Sequence, residues 1–185
     1  MAILKVAQLG HPILRKVARE LSAEEIGSPE TRALVQDMRE TMAEYGGVGL
    51  AAPQVHQSVR IALVDMMEAR GREGAEEPDA STEADPVLVL FNARVTVVDP
   101  TPRGSWEGCL SVEGLRGYVE RPQRIRVDYQ DAEAEPQVLE AEGFPATVLQ
   151  HELDHLDGVL YVDRLLDPRK FAFVSEFIRY HAASH

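Results

Sequence analysis

His151-Glu152-Leu153-Asp154-His155 is the stretch that decides how the rest of this 185-residue chain is read. Positions four apart lie on one face of an α-helix, so His151 and His155 can grip a single metal ion. Glu152, one step round the same turn, can reach a water at that ion as a general base. The plainer alternative is an exposed helix carrying two unrelated histidines. Two imidazoles leave a metal incompletely held, so the function turns on what supplies a third ligand.

The ligand helix is expected over about 146–156, with Leu149, Leu153 and Leu156 as its apolar stripe and Gly158 as its stop. An N-terminal helix is announced by Ser28 as N-cap and Pro29 at the first helical position. Leu34, Met38, Met42 and Tyr45 follow along one face, and Gly46-Gly47 ends it. Apolar runs at 59–65, 87–91, 95–98, 125–129 and 138–141, each bounded by Pro, Gly or charge, read as strands of a mostly antiparallel system. A last helix opening at Asp167-Pro168 carries Phe171, Val174, Phe177, Ile178 and His181 on one side. The fold class is therefore α+β: a central metal-bearing helix enclosed by mostly antiparallel sheets, with an N-terminal and a C-terminal helix. The acidic, apolar-poor stretch 68–85 reads as a solvated, mobile loop insertion in one domain spanning 1–185.

Composition narrows the setting. With 44% apolar residues the chain can bury a sizeable single core. A formal net charge of −12 argues against specific nucleic-acid binding and against anionic membrane, both of which need basic patches. No apolar run approaches the roughly twenty residues of a bilayer span, and Met1–Lys5 lacks a signal-peptide pattern. A lone cysteine cannot form an internal disulfide, which fits a reducing cytoplasm.

Three third ligands are open. The metzincin pattern continues to a third histidine, but that position holds Tyr161, a poor substitute for imidazole. A later glutamate, Glu176, suits a thermolysin-like zinc peptidase, although it sits beside Phe177 and Ile178 in an amphipathic segment. Cys109 lies in Glu107-Gly108-Cys109-Leu110-Ser111, after a stretch with Pro100, Pro102 and Gly104 that reads as a loop. A thiolate and two imidazoles fill three positions of a tetrahedral site and leave the fourth open, the catalytic rather than the structural arrangement.

Three separated motifs, Gly47-Val48-Gly49-Leu50-Ala51-Ala52-Pro53-Gln54, Glu107–Ser111 and Gln150-His151-Glu152-Leu153-Asp154-His155-Leu156-Asp157-Gly158, make the chain resemble the peptide deformylases. The similarity runs from about Gly10-His11-Pro12 to Leu165, outside the acidic insertion. The resemblance implies that Cys109, His151 and His155 hold one divalent metal ion, ferrous iron (Fe2+) physiologically. The donor set also suits zinc, nickel or cobalt (Zn2+, Ni2+, Co2+). It implies Glu152 as general acid/base, with the Gln54 side chain and the Leu110 N–H stabilising the oxyanion. Val48, Gly49 and Gly108 would flank the peptide, and Val148 or Leu149 would wall a methionine pocket. The reaction implied is removal of the formyl group from N-formylmethionyl nascent peptides, in the cytoplasm and with a transient ribosome contact. One departure is Glu113-Gly114, where many relatives carry proline; it bears on the substrate edge. Asp154 reads either as a hydrogen-bonding partner behind the ligands or as a solvated helical carboxylate.

Overall fold

The structure, a computed structural model, describes residues 2–71 and 85–182. A single-turn helix α1 (Ala23–Ile26) and the longer α2 (Pro29–Glu44) lead into β1 (Gly49–Ala51) and β2 (Ile61–Asp65). After α3 (Met66–Gly71) come the long strands β3 (Val87–Cys109) and β4 (Val112–Gln130), then β5 (Pro136–Glu142). The ligand helix α4 (Gly143–Leu156), β6 (Phe171–Phe173) and α5 (Val174–Tyr180) complete the chain. The strands form one antiparallel ladder ordered β1-β2-β3-β4-β5, with β6 added to β4. Register shifts in the β3–β4 pairing between Phe91 and Arg94, Val97 and Asp99, Asp99 and Pro102, and Glu107 and Cys109 interrupt that ladder.

Alternation along β2 explains how the helices are placed. Ile61 and Leu63 join a core with Met38 and Met42 of α2, whereas Ala62 and Val64 join one with Leu149, Leu153 and Leu156 of α4. Successive side chains on a strand point to opposite faces, so one strand serves two helices and both its faces are buried. Fully burying each of the larger side chains, from Val upward, is worth about 1.5–3 kcal/mol. The α2 start is as expected, the Ser28 hydroxyl accepting from the Thr31 N–H. Ser22 makes a capping box with Glu25 for α1, a helix the hydrophobic pattern is too short to reveal.

Three expectations need correction. Pro100, Pro102 and Gly104 lie within β3, not in a loop; the two prolines fall at the register shift between Asp99 and Pro102, where a missing or displaced ladder bond is tolerated. The C-terminal helix begins only at Val174. Phe171–Phe173 is instead a strand paired with Leu115–Gly117. A 3.6-residue stripe and a short apolar run are hard to tell apart over such a length. The expected loop 68–85 begins later than its composition suggests, since 66–71 is helical with Ala69 buried in the core. The rest of that insertion, 72–84, lies outside the described residues. Among the described residues no helix is long and apolar enough to cross a membrane.

Candidate active site

Helix α4 is buried almost along its whole length, including His151, Glu152 and His155. Cys109 ends β3, and Leu110-Ser111 form the two-residue turn into β4, with Cys109 paired to Val112 across it. The ladder thus carries the thiol to the histidine face of α4. Ligand atoms of Cys109, His151 and His155 all lie within 4.8 Å of one another, with Cys109 Sγ 3.3 Å from His155 Nε2. Glu176 is outside this group; it sits on α5 facing Arg179 at 3.7 Å.

The donor set fits a divalent ion. His151 Nδ1 is engaged by Glu107 Oε2 at 2.8 Å, which leaves Nε2 as its ligand atom. Burial, followed by the nearby His151 charge, pushes His155 well below the usual histidine range, so its imidazole is neutral and able to ligate. For His151 burial acts in the same direction, but its hydrogen bonds to Cys109 and Glu107 outweigh burial and raise it. Glu152 Oε2 is buried with no hydrogen-bond partner among the described residues, and burial pushes the Glu152 carboxyl up to about 7.

Gln54, on the short turn after β1, has a fixed amide orientation. Its Oε1 accepts from the Ala51 N–H at 2.8 Å, and an N–H can only donate, so Nε2 must face the other way. That nitrogen lies 3.5 Å from Cys109 Sγ and 3.4 Å from Ser111 Oγ. Leu110, in the turn, has an N–H that makes no hydrogen bond among the described residues. Around these groups opens a cleft of about 380 Å³ lined by Val48, Gly49, Gly108, Leu110, Phe144 and Val148 among others. Leu149 is instead in the core beneath α4. Gly49 is needed for close approach: a Cβ there would stand 2.4 Å from Glu152 Oε1.

A buried ion cluster stands behind the ligands, and sequence reasoning assigned no role to most of it. Arg121 donates to both oxygens of Glu107 at 2.6 and 2.9 Å and to Asp154 Oδ2 at 2.8 Å. Arg164 grips Asp154 from the solvent side. Burial raises the Glu107 pKa, but bonds from His151 and Arg121 outweigh it and hold the carboxyl at about 2. Asp154, left open between two readings, is a partner of arginines. The only signal for Glu107 was its place two residues before Cys109.

A family model described as polypeptide deformylase matches residues 3–171. The chain belongs to that family. A peptide deformylase of Leptospira biflexa serovar Patoc is 42% identical over 173 residues, covering 94% of this chain and 93% of its own length. One from Thermus thermophilus is 43% identical over 176 residues, 92% and 88% of the two chains. Among solved structures, the class I type b peptide deformylase of Acinetobacter baumannii bound to Met-Ala-Ser matches with a TM-score of 0.79. It is 36% identical, over 89% of this chain and 99% of its own. The peptide deformylase of Thermotoga maritima matches with a TM-score of 0.76 at 33% identity, over 90% of this chain and all of the other. The chain is accordingly a hydrolase that removes the N-formyl group from nascent polypeptides, and as a deformylase it is a metalloenzyme acting on peptides.

Proposed function

We propose that residues 1–185 act as one catalytic domain whose Cys109, His151 and His155 hold a divalent ion and whose Glu152, Gln54 and Leu110 carry the deformylation of N-formylmethionyl peptides. The observation that carries this reading is the convergence of one thiol and two imidazoles within 4.8 Å, beside a buried carboxyl and an amide with a fixed orientation. When bound, the ion supplies Lewis acidity toward the formyl oxygen and lowers the pKa of water.

The chain's own residues do the rest. Glu152 accepts a proton from the attacking water and delivers it to the departing amine, a two-way task suited to a carboxyl titrating near neutrality. The C–N bond breaks, yielding formate and a free N-terminal amine. Charge growing on the formyl oxygen is met by Gln54 Nε2 and the Leu110 N–H, and losing one such donor costs about 10²–10³ in rate. Val48, Gly49 and Gly108 let the peptide backbone approach as an added strand would. Phe144 and Val148 supply apolar wall for the methionine side chain.

Ferrous iron is the ion we assign, on the family resemblance; zinc, nickel and cobalt suit the same donors. A thiolate beside ferrous iron is oxygen-sensitive, and the cysteine itself is oxidisable. Because the substrate is a nascent chain, we assign the enzyme to the cytoplasm with a transient ribosome contact, which co-sedimentation with ribosomes tests.

Anaerobically purified protein should release formate from a formyl-Met peptide, with iron as the metal found. Cys109→Ala should lose metal and activity, Glu152→Gln should keep metal and lose turnover, and Glu176→Ala should behave as wild type. A metal-loaded but inert wild type, or metal loss in Glu176→Ala alone, would sink the assignment.

A further inference from the structure

The two proposed oxyanion donors, Gln54 and Leu110, sit on separate turns, and the Gln54 side chain reaches the second turn at Ser111 Oγ, 57 residues away in sequence. The direct ties between the two turns are long side-chain contacts from Gln54 Nε2, at 3.5 Å to Cys109 Sγ and 3.4 Å to Ser111 Oγ. The N-terminal segment crosses behind both. The Ala7 N–H donates to the Gln54 carbonyl at 2.7 Å, and the Leu9 N–H donates to the Ser111 carbonyl at 2.7 Å. Between them, Gln8 donates through Nε2 to the Leu110 carbonyl at 3.2 Å. Three consecutive residues therefore tie the Gln54 turn to the Leu110-Ser111 turn. The N-terminal flank of this tie is anchored, with Val6 and Ala7 buried, whereas Leu9 is exposed and Gln8 lies at the exposed wall of the catalytic cleft.

We infer that the segment Val6–Leu9 is a strap that holds the two oxyanion donors in register, with Gln8 as its positioning residue for the reaction. The inference rests on the reading of Gln54 and Leu110 as those donors. Its physical basis is that the backbone bonds of Ala7 and Leu9 fix where each loop runs, while the Gln8 side chain acts on the peptide group next to the Leu110 N–H. A carbonyl only accepts, so the Gln8 amide must present Nε2 to Leu110. Anchoring that carbonyl holds the Leu110 Cα, from which the Leu110 N–H projects on the other side, and donors act only when aimed at the place where charge develops. Small misplacements at a reacting centre are costly in rate. An oxyanion donor acts where charge develops in the transition state rather than on the ground-state peptide, so the effect belongs in kcat.

The test is steady-state kinetics of the iron-loaded, full-length enzyme on a formyl-Met-Ala-Ser peptide, with metal content and Tm measured in parallel. Gln8→Met, close in shape but unable to donate, should lower kcat about tenfold with KM, metal content and Tm unchanged. Gln8→Lys, which restores a donor within reach of the Leu110 carbonyl, should recover most of that loss. In a Gln54→Ala background the Gln8→Met effect should shrink, since one of the two donors being aligned is gone. A wild-type kcat in Gln8→Met, or a loss expressed in KM or Tm alone, overturns the strap. A wild-type kcat in Gln54→Ala instead overturns the oxyanion reading beneath it.

Discussion

Glu107 and His151 meet at 2.8 Å between Oε2 and Nδ1, so a carboxylate from strand β3 fixes the ring of a histidine on helix α4. The bond selects which imidazole nitrogen is left for a metal. It also links the metal group to Arg121 and Asp154, so that positioning and stability share the same residues.

Glu107→Gln should weaken metal binding by about 10–100-fold, the usual cost of losing a carboxylate behind a ligating histidine. Competition with a chromophoric chelator measures it. Unchanged affinity would mean that packing alone orients His151.

The same carboxyl makes a pH prediction for the metal-free protein. Its folded pKa of about 2 lies below the unfolded 4.5, so its stabilising contribution is complete above pH 4.5 and is lost as pH falls toward 2. The difference is worth on the order of 3 kcal/mol. Urea unfolding from pH 7 down to 2.5 should show a steeper loss in wild type than in Glu107→Gln. Parallel curves would contradict the depressed pKa.

Arg121 and Arg164 both hold Asp154, yet their removal should differ sharply. Arg121 is 2% exposed, and Arg121→Met leaves the Glu107 and Asp154 charges without it, at a cost of about 3–5 kcal/mol. The Arg164 side chain is 44% exposed, so Arg164→Ala should cost less than about 1 kcal/mol. Denaturant midpoints of the two variants give the comparison directly.

Gly49→Ala should be a catalytic lesion. The new Cβ would fall 2.4–2.6 Å from the Glu152 carboxylate atoms, and the side chain must move away. We expect kcat to fall at least about 10²-fold, with metal content retained because the ligands are untouched. Near-normal turnover, measured by formate release, would show that Glu152 has room to adjust.

Much of the site was legible locally. The four-residue spacing of His151 and His155, with Glu152 beside them, needs only the geometry of one helix turn, and that helix formed. Ser28 and Pro29 marked the start of α2 for an equally local reason, the capping of unsatisfied N–H groups. Long strands were read only in pieces, because bulges and prolines break the alternation on which a strand is recognised. Phe171–Phe173 was misread as helix since its pairing with Leu115–Gly117 is decided by a distant strand.

By itself the sequence determined the ligand helix and, through three ordered motifs, the family. Only tertiary structure decided which groups stand together: Cys109 with His155 across 46 positions, Arg121 with Glu107 across 14 and with Asp154 across 33. Helical periodicity acts over a few residues. Pairing of strands and burial of charge act over whole elements, and they bring these side chains together because a buried carboxylate or guanidinium must find its partner wherever the fold supplies one.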